Sequence, residues 1–299
     1  MRRILFGAMA LLLVGPALGF GIVYLLSESQ LRDVAVRADF SHPIDTSAAA
    51  LARGQHIART RGCFGCHGQR LEGRVFTDEW DWVDRAVAPN LAAYAQQHDP
   101  AVLERAVRQG VGHDGKALWS MPSYNWIHLS DQDTADLIAF LRSAPSIKKS
   151  LPEGRLGWQA RWLLANGDEE HMAAWASKVP PLLLGPDDDA ALVRGEYLAM
   201  TTCNECHGFD LRGANVESDI ATPDLALVTA YSWDQFNRLL DEGLPKDDRP
   251  SLGLMTVVAR DRFAYFTPQE RTELYAFLRS LPSRPVPQNV SWRTTRSEP

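Results

Sequence analysis

Uncharged, mostly apolar positions run without a break from Ile4 to Leu26, and then the pattern changes. Beyond that run, apolar residues recur in short blocks at helical spacing, separated by Gly, Pro and polar punctuation. Leu137, Ile138, Phe140 and Leu141 make one such stripe, and Leu274, Phe277 and Leu278 repeat it near the other end. Both stripes read as core positions of a final helix. The start and stop signals agree. Asp99 stands before Pro100 as an N-cap, and Gly110 ends that helix. Ser232 and Gly243 frame its counterpart. Ser130-Asp131-Gln132-Asp133 opens the first of the two final helices. Thr267-Pro268-Gln269-Glu270 opens the second as a capping box with Pro at the first helical position. No convincing strand pattern is present. Gly157 to Leu164 predicts a short amphipathic helix that bridges two domains, in preference to one that contacts a membrane surface or a partner. Pro180-Pro181 and Gly185-Pro186 stiffen the chain after it. Ser283 to Pro299, Pro-rich and polar, predicts an extended tail.

The blocks are two copies of one unit. Arg53-Gly54-Gln55-His56-Ile57-Ala58 matches Arg194-Gly195-Glu196-Tyr197-Leu198-Ala199. Gly68, Leu71 and Gly73 match Gly208, Leu211 and Gly213. Ala88-Pro89-Asn90-Leu91 matches Thr222-Pro223-Asp224-Leu225, and Ala139-Phe140-Leu141-Arg142-Ser143 matches Ala276-Phe277-Leu278-Arg279-Ser280. Self-similarity over that length predicts tandem domains of about a hundred residues each. The expected layout is an all-α chain with domains at 48–148 and 189–284. Residues 1–27 precede them as an N-terminal segment, 28–47 and 149–188 are linkers, and 285–299 is the tail.

Composition changes this picture little: 45% hydrophobic and 23% charged residues in a 299-residue chain is ordinary for a folded protein. The net charge of −6 argues against a nucleic-acid partner. It is unevenly spread. From Pro186 to Pro282 there are 17 acidic and 9 basic residues, and from Ser47 to Ile147 there are 11 and 10. The acidic second copy reads either as a solvated face or as a docking surface for a basic partner. At the N-terminus, the 23 residues from Ile4 to Leu26 are enough to span a bilayer. Arg2 and Arg3 before them and Glu28 after them predict a transmembrane helix with the rest of the chain outside the cytoplasm. A cleaved signal peptide is the competing reading, with Ala17-Leu18-Gly19 as its site. Hydrophobicity that continues through Phe20, Ile22, Val23, Tyr24 and Leu26 favours the retained anchor.

The chemistry lies in the four cysteines. Cys63-Phe64-Gly65-Cys66-His67 and Cys203-Asn204-Glu205-Cys206-His207 both read C-x-x-C-H, the c-type haem attachment pattern, and use every cysteine in the chain. Two thiols three positions apart can each form a thioether to one haem vinyl group, and the next residue then sits under the iron as proximal ligand. A structural zinc would want two ligand pairs per site, whereas these pairs lie 140 residues apart and each carries its own His. A thioredoxin-like site would need a βαβ context, which is absent.

His67 and His207 leave one axial position open at each iron. Met121 lies 54 residues after His67, and Met255 lies 48 after His207, both between the middle and last helices of their copies. That matched placement makes them the candidate sixth ligands. Met172 in the linker reads as packing, and Met200 is too near its own motif to fold back over the iron. His113 and His128 are rival ligands in the first copy only. Proximal histidines usually give their other ring N–H to an acceptor. The carbonyls of Pro89 and Pro223, before matching Asn/Asp-Leu steps, are the candidates.

On these residues each copy resembles a class I cytochrome c domain. The first carries C-x-x-C-H-G, then Ala88-Pro89-Asn90-Leu91, Met121-Pro122-Ser123-Tyr124 and Leu129-Ser130-Asp131. The whole chain resembles membrane-anchored di-haem c-type cytochromes. It is also similar to the cytochrome subunits of bacterial alcohol and gluconate dehydrogenases, which often carry three such domains. The resemblance implies an all-helical fold, two covalently bound haem c and single-electron transfer in a respiratory chain rather than catalysis. It implies redox partners such as a dehydrogenase, an oxidase or a small cytochrome, on the periplasmic side of a bacterial inner membrane. In that family the Pro before Asn-Leu supports the proximal His, as Pro89 and Pro223 would here. The second copy departs from the pattern: Thr256-Val257 follows Met255, and three extra residues precede its last helix. A di-haem peroxidase or a sulfur-compound oxidase is the enzymatic alternative, and it would require an open or unusually ligated iron. A haem-based gas sensor would need an output domain as well.

Overall fold

The chain begins as one long helix, α1 (Arg2–Arg32), with Pro16 inside it. The computed structural model describes residues 2–37, 40–79, 82–217, 220–247 and 249–284, with side chains from residue 15 onward except those of 79, 215–217 and 220. Much of the uncharged run that predicts a membrane span therefore lies outside the residues whose side chains are described. Among the described residues no helix is long and apolar enough to cross a membrane, so the transmembrane expectation gains no support here. The expected extended tail, 285–299, also lies outside them.

Each copy is a pair of crossing helices that brackets a loop-rich middle. Ser47 accepts the Ala50 N–H and caps α2 (Ala48–Thr60), which leads into the short α3 (Cys63–His67). An antiparallel pair follows, β1 (Arg74–Val75) with β2 (Val87–Ala88), in the register Arg74 opposite Ala88. Next come α4 (Leu91–Gln97), capped by Asn90, and α5 (Pro100–Glu104). The α5 helix runs on through a wide turn, 105–109, to Gly110, where φ is +69°. A tight turn over 123–126 precedes α6 (Asp131–Ser143), which Ser130 caps. The linker holds α7 (Gly157–Asn166) and α8 (Met172–Lys178).

The second copy repeats the plan with α9 (Ala190–Thr202), α10 (Asn204–His207), the pair β3 (Asn215–Glu217) and β4 (Ile220–Ala221), and α11 (Trp233–Glu242). A further helix, α12 (Leu254–Asp261), then leads to α13 (Pro268–Ser280), which opens with the expected capping box. Two short antiparallel pairs thus interrupt an otherwise helical chain. They escape the strand patterns because two or three residues are too few to show a period of two.

The helix predicted as an interdomain bridge takes another place. α7 lies along the C-terminal part of α1. Arg161 donates to Ser27 Oγ at 2.9 Å and to Glu28 Oε1 at 3.0 Å, and its guanidinium sits 4.3 Å from the Tyr24 ring centroid. Lys116 reaches the other Glu28 oxygen at 2.9 Å, and the Ala117 N–H bonds the Leu31 carbonyl. Leu31, Leu156, Ala160 and Leu164 are buried with Phe76 and Ala88, which fixes the end of α1 to the first copy. It is α8 that comes between the copies, with Trp175 against both Tyr124 and Phe209.

The two copies face each other with matched residues, much as a two-fold dimer would. His56 of α2 donates to Glu270 of α13 at 2.9 Å. In the reciprocal place Tyr197 of α9 bonds Asp133 of α6. His56 matches Tyr197 in the repeat, and Asp133 and Glu270 both stand three residues after their helix cap. Between them Arg61, 2% exposed, donates to Thr60 at 2.8 Å and to Thr201 of the other copy at 3.2 Å.

Glu270 gives this interface an acid limit. Burial pushes its carboxyl up. The His56 hydrogen bond, the Thr267 N–H and the charges of His56 and Arg61 outweigh burial and hold it down at about 2, against an ordinary value of 4.5. A depressed carboxylate stabilises the fold above its unfolded value, and that contribution fades as pH falls from about 4.5 towards 2. It is worth up to about 3 kcal/mol. We expect Glu270→Gln to be less stable than wild type at pH 7 and the difference to shrink by pH 3, read from urea unfolding midpoints. A constant difference would contradict the assignment.

Candidate haem sites

The two C-x-x-C-H segments are entered differently but left alike: α9 runs through Thr202 directly into its motif, whereas α2 stops at Thr60. Gly62, at φ +81°, turns the chain out of α2 so that Cys63–His67 can close a short helix, and Gly68 or Gly208 ends each motif. The loop then folds back under the histidine. Gly73 N–H bonds the His67 carbonyl at 2.7 Å, and Gly213 N–H bonds that of His207 at 2.9 Å. Leu71 and Leu211 are the only non-glycine residues at positive φ, +60° and +62°, among those described. Each is buried, and its carbonyl accepts from Leu91 or Leu225, the first residue past the Asn/Asp cap. An L-residue there is uncommon and costs on the order of 1–3 kcal/mol, so the burial of both side chains must hold it.

That fold-back sets the imidazoles. His67 Nδ1–H donates to the Pro89 carbonyl at 2.9 Å, and His207 Nδ1–H donates to Pro223 at 2.9 Å. A carbonyl can only accept, so Nδ1 carries the proton and Nε2 is left as the basic nitrogen. Burial lowers both imidazole pKa values, and the proline carbonyl opposes it only in part. Both rings are therefore neutral ligands in waiting. None of the four cysteines is in a disulfide. Burial pushes Cys63 and Cys203 up to about 11 and Cys206 to about 12, which keeps them as thiols.

In the first copy these groups line one cavity of about 860 Å³, together with Met121. Met121 is fixed from below by its own carbonyl, which accepts the Ser123 N–H at 2.7 Å, while Ser123 Oγ holds the Ala106 carbonyl. His113 also borders the cavity but stacks on His98 at 4.8 Å, whereas His128 donates to the Pro180 carbonyl in the linker. Met172 is buried at the start of α8 beneath Gly110, and Met200 is buried within α9. In the second copy Met255 is half-buried at the second position of α12, a helix with no counterpart in the first. Thr256 beside it anchors the helix by donating to the Gly243 carbonyl at 2.7 Å. The three extra residues noted in the sequence belong to this added helix.

The cavity suits a large flat group with an apolar body and an acidic edge. Leu103, Val107, Leu137 and Leu141 line its body. At its margin two buried donors, Arg61 Nε and Trp126 Nε1, have no hydrogen-bond partner among the described residues. Two thiols, a neutral imidazole and a thioether on one wall set, with unpaired N–H donors beside them, fit a haem with its propionates. Sequence reasoning missed Arg61 and Trp126, because neither has a spacing that marks it.

Residues 51–145 and 192–282 match the cytochrome c family. The chain belongs to the cytochrome c family. Two domains of that family in one chain agree with two haem c groups and make it a haem-based electron carrier. Over 95% of its length this cytochrome is 24% identical to a diheme cytochrome c-type protein of Cereibacter sphaeroides, of which it covers 99%. It is 26% identical over 73% of its length to the cytochrome c subunit of a quinone alcohol dehydrogenase from Gluconobacter oxydans. It is also 25% identical over 54% of its length to one subunit of a nicotinate dehydrogenase from Pseudomonas putida. This cytochrome spans 45% and 14% of those two proteins.

Proposed function

We propose that this cytochrome relays single electrons between a respiratory donor, a dehydrogenase or a quinol-oxidising complex, and an acceptor such as a terminal oxidase. It would work on the periplasmic side of a bacterial inner membrane, with the uncharged leading run as tether or export signal. The observation that carries the reading is the pair of histidines, each locked by a proline carbonyl with Nε2 free and two half-buried thiols beside it. In this reading Cys63, Cys66, Cys203 and Cys206 hold two haem c covalently. His67 with Met121, and His207 with Met255, would be the protein's ligands to the two irons. One-electron oxidation and reduction at iron is the chemistry that haem supplies when bound. The protein's own part would be to offer a nitrogen and a thioether sulfur to each iron and, in the first copy, to surround the ring with apolar side chains, which favours electron transfer over binding at the metal. That argues against the peroxidase or sulfur-oxidase alternative. The similarity to a dehydrogenase cytochrome subunit supports a dehydrogenase as donor. The acidic second copy suits a basic acceptor, whose association would slow as salt rises.

The test is spectroscopic. Pyridine haemochrome analysis should give two haem c per chain, and the oxidised protein should show the weak band near the red edge that reports Met on ferric iron. Met121→Ala should abolish about half of that band and let the reduced protein bind carbon monoxide at one site, with wild type binding little. Ready carbon monoxide binding by wild type would overturn the carrier reading for that domain.

A further inference from the structure

The two haem motifs are not merely near each other; each is touched by the same position of the opposite copy. Asn125 stands five residues before the α6 cap, Ser130, and Arg262 stands five before the α13 cap, Thr267. Asn125 of the first copy donates to Glu205 Oε2, in the second motif, at 3.3 Å. Arg262 of the second copy lies over the first motif. A Cβ built on Gly62 would come 2.3 Å from its guanidinium carbon, and one on Gly65 would come 4.0 Å from Nη2. The same guanidinium donates to Glu205 Oε2 at 3.2 Å. Gly65 and Glu205 hold the same place in their motifs, so at this contact the pseudo-two-fold arrangement is broken in charge. Arg262 is added on one side and Glu205 on the other. Both charges border the first cavity beside Cys63 and Cys66, and both are only about a fifth to a quarter exposed.

We propose that the Arg262–Glu205 pair is a shared positioning and charge element for both sites, locking the two motifs face to face and setting their reduction potentials together. The proposal rests on the reading of the two sites as haem c. A cation beside a redox iron favours the reduced state and an anion the oxidised state. In a half-buried setting that effect is only weakly screened. With the pair intact the two charges nearly cancel. Removing one unmasks the other, and the two removals act with opposite sign.

The experiment is a spectroelectrochemical titration of the full chain as wild type, Arg262→Gln, Glu205→Gln, Arg262→Lys and the Arg262→Gln/Glu205→Gln double variant. A haem count of two per chain comes first for each protein; a wild-type count below two would sink the di-haem reading rather than this inference. Arg262→Gln should move both midpoints down, and Glu205→Gln should move both up. The shift should be largest at the first site and amount to about a tenfold change in the reduced-to-oxidised ratio at fixed potential, or about 59 mV for a one-electron couple. Arg262→Lys should stay near wild type. The double variant should return towards it, because two shifts of opposite sign largely cancel when summed. A structural loosening would move both single variants the same way, and that outcome, or no shift in either, would overturn the proposal.

Discussion

Replacing Cys63 and Cys66 together by alanine is expected to give a chain with half the haem of wild type and an unfolded first copy. The two thiols are the covalent hold on the haem, and without them the first site keeps only axial contacts. The lining of a cavity of about 860 Å³ would then be left without its core. A whole domain has only about 5–15 kcal/mol of stability, so loss of the group around which these apolar side chains pack is enough to unfold it. Leu103, Val107, Leu137 and Leu141 would collapse inwards or the copy would unfold. The second copy keeps its own thiols and histidine. It would lose the His56–Glu270 and Arg61–Thr201 contacts across the interface and so be destabilised too. Far-UV circular dichroism with the pyridine haemochrome count checks both parts. Full helix content at half haem would show that the first copy does not depend on its haem as a core.

The parts of this fold legible in the sequence are those whose cause is local. Ser130, Ser232 and Thr267 cap helices because their side chains bond the next turn, whereas Asp99 holds its cap position without such a bond and Pro100 supplies the fixed φ of the first helical residue. Gly110 and Gly243 end helices because each takes the left-handed conformation a stop requires. The proline carbonyls are legible too, since Pro89 and Pro223 stand at the same distance from the next cap in both copies. What could not be read depends on distant partners. Leu71 and Leu211 carry no sign that leucine will adopt a glycine-like conformation, because that is imposed by the returning chain at Leu91 and Leu225. Arg61 is a residue type rarely buried, and only the second copy's Thr201 and the cavity edge account for its burial. The placement of α7 on α1 rather than between the copies turns on Arg161 finding Ser27 and Glu28, about 130 residues away in sequence. The reciprocal contacts of the two copies are likewise invisible until the repeat is folded against itself.

Gly54→Ala and Gly195→Ala are expected to destabilise strongly, against the usual trend for such a change. In an exposed helix interior, alanine in place of glycine stabilises by about 1 kcal/mol. Both glycines instead sit where the first and last helices of their copy cross. A Cβ on Gly54 would lie 2.0 Å from the Asp136 carbonyl oxygen and 2.7 Å from the Phe140 Cβ. One on Gly195 would lie 2.2 Å from the Glu273 carbonyl oxygen and 2.5 Å from the Phe277 Cβ. The obstacles are backbone atoms, so no rotamer change relieves them. The helices must move apart, and the Arg53–Asp136 pair at 2.6 Å moves with them. Overpacking of this kind costs about 1–3 kcal/mol or more and overrides the helix-propensity gain. We expect a net loss of about 2 kcal/mol or more in each variant and a fall of roughly 5–10 °C in the thermal midpoint, with the haem count unchanged. Gly185→Ala is the control. Nothing lies within 4 Å of its Cβ and its φ is unremarkable, so it should stay within about 0.5 kcal/mol of wild type. If Gly54→Ala or Gly195→Ala raised the midpoint instead, the close approach of the two helices could not be the reason a glycine stands after the arginine in both copies.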